Sequence, residues 1–397
     1  MTDGDTNTVA AQAGRRKPSV LQVLPRLVTG GVERGTVDIA AALVAAGWDA
    51  VVASAGGPMV RELERAGAKH VELPLASKNP FVIRANIDRL AALIRRMNVD
   101  IVHARSRAPA WSARFAARRA GRHFITTFHN AYGMGSALKR RYNAVMATGE
   151  RVIAISDFVA EHAASVYGVP AERLRIIPRG VDLNRFNPDR VTPERLVTLI
   201  KAWRLPDGAP IVLLPGRLTR WKGQLVLIEA MKLLDRPDVH AVILGIGNAR
   251  YRRELEAAVA HSPVAARFRF IDDCSDIVAA YMLADVVVSA STSPEGFGRT
   301  IVEAQAMGRP VIATAHGGAQ ETVVEGETGF LVRPGDAAAL AAVLAQVLNQ
   351  DGEARLAMAR REIAHVHAHF SSALMAARTL AVYEELIRQD AAASAAA

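Results

Sequence analysis

The chain has 397 residues, half of them hydrophobic and 22% charged, with 49 Lys/Arg against 39 Asp/Glu and a single cysteine. Periodic apolar stretches exclude a disordered or low-complexity chain, and the length suffices for two domains with separate cores. Cys274 alone makes neither an intrachain disulfide nor a thiolate zinc site, and no apolar run of about 18 residues spans a bilayer, so a reducing, cytoplasmic compartment is expected.

Residues 1–18 lack the apolar core of a secretory signal and read as a disordered tail. Candidate strands follow at Ser19–Leu24, Ala50–Ser54, His70–Leu73, Asp100–His103, His123–Thr127, Arg151–Ile155 and Leu174–Ile177, separated by helical stretches such as Val32–Ala46, Phe81–Met97 and Asp157–Tyr167. This alternation predicts a parallel α/β domain over residues 19–185. From Gly180 to Gly208 the pattern loosens, with prolines at 188, 193 and 206, and reads as a junction. A second series, Ile211–Leu214, Val239–Leu244, Arg267–Ile271, Val286–Ser289, Val311–Ala313 and Phe330–Val332, predicts another such domain over residues 186–371. An Ala-rich helical region broken near Phe370–Ser371 runs to about Asp390, and residues 390–397 read as a flexible tail. Two doubly wound sheets in tandem can turn their carboxyl edges, where ligands bind, toward a common cleft.

The charge is unevenly placed. Residues 1–205 hold 31 Lys/Arg and 17 Asp/Glu, net +14, and the remainder is net −4. An anionic partner for the first half is the expectation.

Four motifs carry chemistry. Gly30-Gly31-Val32-Glu33 follows the first strand, where glycines admit close ligand approach and a helix start offers amides to an anion; a plain tight turn explains it equally well. The loop after Ile211–Leu214 holds Arg217 and Lys222, a fork and a point charge suited to a diphosphate unless they are simply solvated. Glu295 and Glu303 stand eight positions apart around Gly296-Phe297-Gly298, whose amides can meet a phosphate at the next helix, while an ionised carboxylate binds paired sugar hydroxyls. Gly245 and Gly247 form a weaker pair lacking a third glycine, so no dinucleotide fingerprint is present.

Taken in order, Gly30-Gly31-Val32-Glu33, the run RVIAISDFVAEHAASVYGVPAERLRIIPRGVD, GRLTRWKG and the Glu295–Glu303 pair resemble the retaining family-4 glycosyltransferases over residues 19 to 335. The resemblance implies a GT-B architecture, two Rossmann-like domains with the first binding acceptor and the second nucleotide sugar, and with residues 372–389 packing back on the first. It implies that Arg217 and Lys222 neutralise the donor diphosphate with the Gly296–Gly298 amides. It further places Glu303 on the ribose, Glu295 and His129 at the donor sugar, and Gly31 near the phosphates. No metal or other cofactor is implied, since side-chain cations replace the divalent ion; Asp272-Asp273-Cys274-Ser275-Asp276 reads as a loop and helix cap near the nucleobase. Two positions depart from the family: Arg105 follows His103-Ala104 where a second histidine is common, and Arg179 replaces the usual Asn.

The implied reaction moves a sugar from a UDP or GDP sugar to a glycan or lipid-linked acceptor of the cell envelope, such as lipopolysaccharide. Between Arg105 and Arg122 lie only basic charges, and Arg114, Arg118 and Arg122 recur every fourth position beside Trp111 and Phe115. A helix there carries either a lipid-facing stripe on a peripheral protein or an ordinary buried aromatic face with solvated arginines. Competing readings are a sugar-nucleotide epimerase of the same fold, an oxidoreductase, disfavoured by the missing fingerprint, and a membrane- or nucleic-acid-binding protein without transferase activity, the latter disfavoured by 5% aromatic content and the absence of a recognition module.

Overall fold

The computed structural model describes residues 16–28, 30–133 and 135–396. Seven parallel strands form the first sheet: β1 (Ser19–Val23), β2 (Asp49–Ser54), β3 (Lys69–Glu72), β4 (Ile101–Ala104), β5 (His123–Phe128), β6 (Val152–Ala154) and β7 (Leu174–Ile176), in the order 3-2-1-4-5-6-7. Six parallel strands form the second: β8 (Ile211–Pro215), β9 (His240–Leu244), β10 (Phe268–Ile271), β11 (Val286–Ser289), β12 (Val311–Thr314) and β13 (Phe330–Val332), in the order 10-9-8-11-12-13. β1, β4, β8 and β11 are buried along their whole length because helices cover both faces, which is why they read as mainly apolar runs, interrupted by Ser19, Gln22, His103 and Ser289. The strand order reverses between β1 and β4 and between β8 and β11. Loops leaving these strands diverge to opposite faces and open a crevice at each sheet's carboxyl edge.

The helix Gly31–Ala45 buries Val37, Ile39, Ala40 and Leu43. Against it and the first sheet lies the final helix, Ser372–Ala396, whose Met375, Val382, Tyr383 and Leu386 join Val20, Ile39, Leu43 and Ile125 in one cluster. Glu385 of that helix accepts from both Arg151 (Nη2, 2.6 Å) and Arg175 (Nη2, 2.8 Å).

Several expectations are corrected. The junction Gly180–Gly208 is not uniformly loose: Pro193–Trp203 is a helix with Pro193 in its first turn, where proline's missing N–H costs nothing. Leu199 and Trp203 are buried, and Arg195 grips Asp276 through Nε (2.7 Å) and Nη2 (2.6 Å). Of the expected tail, residues 1–15 lie outside the described residues, but Arg16 is docked, donating to the Asn98 carbonyl (2.6 Å) and pairing with Asp100. At the other end the helix continues through 390–396, a run of residues dominated by alanine, the best helix former. The helix Arg107–Ala120 stops at Gly121, which is left-handed with φ 61°, so Arg122 leaves the basic stripe and pairs with Asp100 (3.4 Å). Trp111 is turned to the fold, its Nε1 donating to the Tyr142 carbonyl (3.1 Å), whereas Phe115 remains 41% exposed beside Arg114.

Candidate active site

The loop after β8 is shaped by glycine. At Gly223 (φ 72°) any side chain would collide with the Ala290 carbonyl at the end of β11, so the Lys222 turn lies directly on the neighbouring strand's exit. Lys222 Nζ thereby reaches Glu295 Oε1 at 2.7 Å, and Ser291 Oγ donates to the same oxygen. Trp221 lies beneath the ammonium, 4.8 Å from ring centre to Nζ. Arg217 is exposed on the same loop, and no acceptor among the described residues binds its guanidinium. Gly245 and Gly247 sit against the Gly216 and Leu218 carbonyls and shape this loop from the β9 side.

After β11, Gly298 (φ 86°) opens the helix Arg299–Ala306. A methyl on Gly318 would lie 2.5 Å from Phe297 Cα, and one on Gly317 2.5 Å from the Glu295 carbonyl, so the glycine pair after β12 supports the 295–297 backbone from below. Phe297 itself is buried edge-on against Phe370 (5.5 Å), which anchors the loop between two buried glycines. Glu303 is buried one turn into the helix. Its Oε2 accepts from the buried Tyr281 hydroxyl (2.8 Å), and its Oε1 pairs with Arg299 Nε (2.7 Å). Asp276 caps the helix Ile277–Leu283 through the Ala279 amide (3.1 Å), as the acidic run suggested.

The first domain meets these loops. A methyl on Gly296 would lie 2.8 Å from the His129 carbonyl, Ser156 Oγ donates to the Gly296 carbonyl (2.6 Å), and the Gly31 position faces Arg299 at 3.9 Å. Glu321 reaches across to accept from the amides of Asp157 (2.7 Å) and Phe158 (2.8 Å), where a carboxylate also suits the helix dipole. Gly30 has extended backbone and serves as the cap of its helix, with Glu33 as its near neighbour rather than a second-domain residue.

His129 leaves the end of β5 and enters this cleft. Its Nδ1 accepts from Arg179 Nη2 (2.9 Å), so the ring proton resides on Nε2, a buried atom near the Arg105 backbone carbonyl. Burial, reinforced by Arg179 and Arg105, pushes the imidazole pKa well below the usual range. His129 is therefore a neutral single donor at physiological pH. His103, by contrast, is structural: its nitrogens bond to Tyr383 Oη and Thr127 Oγ1, both at 2.7 Å, on the β4 strand interior. Asp38, on the first helix beside Arg34 and Arg299, has its carboxyl raised to about 6 by burial.

Thus Lys222, Glu295, Gly296, Phe297, Gly298, Glu303, His129 and Gly31 lie where the two domains meet, with Arg217 exposed on the loop that carries Lys222. Sequence reasoning passed over Ser291, Tyr281, Arg299, Ser156 and Glu321. Only Arg299 carried a local signal, its i,i+4 spacing to Glu303. Among the described residues no group of three or more His, Cys, Asp or Glu is arranged to hold a metal ion, and no helix is long and apolar enough to cross a membrane.

Comparison with known proteins agrees with this architecture. Residues 29–185 match the family model described as Glycosyltransferase Family 4, and residues 198–364 match Glycosyl transferases group 1. A D-inositol 3-phosphate glycosyltransferase of Xylanimonas cellulosilytica is 32% identical over 66% of this chain and 67% of its own. A GDP-mannose-dependent monoacylated alpha-(1-6)-phosphatidylinositol monomannoside mannosyltransferase of Corynebacterium glutamicum is 30% identical over 73% and 77%. The crystal structure of a glycosyltransferase from Rickettsia africae superposes with TM-score 0.86 at 38% identity, covering 94% of this chain and 99% of that one. Anabaena HepE in complex with UDP-glucose shares the fold, with TM-score 0.81 at 23% identity over 92% of this chain and 99% of that one. Two parallel sheets meeting at their carboxyl edges, the paired glutamates and these similarities together show that the chain is a GT-B glycosyltransferase of family 4.

Proposed function

We propose that the cleft binds a nucleoside diphosphate sugar, UDP- or GDP-linked, and transfers its glycosyl group with retention to an envelope glycan or lipid-linked acceptor. The reading rests most on Glu303, a buried carboxylate at the β8/β11 crevice held by Tyr281 and Arg299 and therefore preset to receive ribose hydroxyls. Lys222, Arg217 and the Gly296–Gly298 amides stabilise charge on the departing diphosphate, and the neutral His129 offers Nε2–H to a hydroxyl of the donor sugar. In a front-face reaction the anomeric C–O bond to the diphosphate breaks while the acceptor oxygen bonds the same face. The acceptor proton passes to the leaving phosphate oxygen, so no covalent nucleophile is assigned. The side-chain cations take the place of a divalent metal.

Glu303→Gln keeps shape but removes charge. It is expected to weaken nucleoside diphosphate binding by about tenfold or more, read as loss of the melting-temperature rise that UDP or GDP gives the parent. Unaltered binding would remove Glu303 from the donor site.

Two of the relatives named above carry inositol 3-phosphate or phosphatidylinositol monomannoside in their names, and a phosphorylated acceptor suits the net +14 of residues 1–205. We place the enzyme at the cytoplasmic membrane surface, with exposed Phe115 and Arg118 and half-buried Arg114 toward anionic lipid rather than the whole aromatic stripe. Co-flotation with anionic liposomes in low salt is the expected result. Flotation unaffected by Phe115→Ala would move the contact elsewhere.

A further inference from the structure

The two departures from the family pattern, 74 positions apart in the chain, are neighbours in the fold. Arg105 leaves the carboxyl end of β4, on one side of the first sheet's switch point, and Arg179 follows β7. Both are more than nine-tenths buried, at 4% and 8% exposure. They converge on Gly35 of the helix that follows β1: a methyl there would collide with Arg179 Nη1 and lie 3.1 Å from Arg105 Nη2. The absence of a side chain at Gly35 is what lets two guanidiniums share this space.

Like charges brought together out of water need a counter-ion. Among the described residues neither arginine belongs to an ion pair, and Arg105 Nε is buried without a hydrogen-bond partner. Arg179 commits Nη2 to His129 and leaves Nη1 at the Gly35 surface. Asp38 and Glu33 act on these arginines only through space, and Asp38 is itself held toward its neutral form by burial. Burial, with Arg105 and Arg299 adding repulsion, lowers the Arg179 pKa to about 9. Arg105, Arg179, Asp38 and Glu33 belong to the first domain, whereas Arg299 reaches in from the second, where it pairs with Glu303.

We propose that Arg105 and Arg179 form an oxyanion subsite that takes a phosphate or carboxylate group of the acceptor beside His129. The assignment to acceptor rests on reading the cleft as a glycosyl-transfer site; the anion binding itself does not. Occupation of the subsite supplies the missing counter-charge and sets the acceptor next to the residue that faces the donor sugar. Acceptor choice and the orientation of His129 are thereby joined through one guanidinium.

The test uses inorganic phosphate on the full chain carrying Arg217→Ala and Lys222→Ala, which takes the donor cations out of the measurement. Phosphate titrated at constant ionic strength, with chloride as control, is expected to raise the melting temperature saturably. Adding Arg179→Asn is expected to weaken the apparent affinity about tenfold or more. Gly35→Ala, which keeps both charges and favours the helix, is expected to weaken it likewise by displacing Arg179. No saturable rise, or a rise indifferent to both substitutions, overturns the subsite. In the otherwise unaltered chain, Arg179→Asn is expected to leave stabilisation by UDP or GDP unchanged. Loss of that response assigns the arginines to the donor and overturns the acceptor assignment. Failure of the transfer reading registers separately, as nucleoside diphosphate binding indifferent to Glu303→Gln.

Discussion

Lys222→Ala is expected to lower kcat by about 10²–10³-fold, the loss seen when one preorganised donor to a developing oxyanion is removed. The ammonium is not a loose surface charge. Gly223 presses its turn against the end of β11, Trp221 lies under it, and Glu295 and Ser291 complete the arrangement at one oxygen. A cation fixed this way is already placed when the diphosphate departs, so little reorganisation is needed during the reaction. Removing it also leaves Glu295 without its cation, and that carboxylate then repels the diphosphate, so the defect extends to donor binding. Stability is expected to change little, because the pair lies at the cleft rather than in either core. Steady-state rates with and without EDTA check the assignment. The parent is expected to be indifferent to chelator, and a variant retaining most of its activity, or a strict Mg²⁺ requirement in the parent, would overturn it.

Tyr383→Ala is expected to destabilise the protein by about 3–5 kcal/mol, the range for truncating a large buried aromatic side chain. Tyr383 is fully buried, packs edge-on against His103 at 5.8 Å and near Trp48 at 6.4 Å, and hydrogen-bonds His103 Nδ1. Truncation leaves a cavity between the last helix and the first sheet, and leaves a buried histidine nitrogen unpaired. Tyr383→Phe separates the two effects and is expected to cost about 1–3 kcal/mol, the penalty for the orphaned polar group alone. Urea midpoints measure both. A loss below about 1 kcal/mol for Tyr383→Ala would mean that the chain end is not part of the first core.

The central strands were legible because a parallel strand covered on both faces is mainly apolar, and no tertiary knowledge is needed to see such a run between turns. Glu295 and Glu303 were legible for a related reason: their relation is local, one loop and one helical turn. The helix Pro193–Trp203 was not, because a proline that starts a helix and one that breaks a helix look alike until the neighbouring fold is known. Trp111 and Phe115 share a spacing that allows both an inward and an outward face, and only the Tyr142 carbonyl and the exposed Phe115 ring tell them apart.

The same division separates the two halves of the site. The sequence alone determined which loops after single strands carry the candidate residues Lys222, Glu295 and Glu303 with their own glycines, and it determined the uneven +14 of residues 1–205. Only the tertiary structure decided what Arg105, Arg179, Gly35 and His129 are to one another. Their proximity arises because parallel strands deliver residues from distant stretches of chain to one carboxyl edge, a distance that no spacing rule along the sequence encodes.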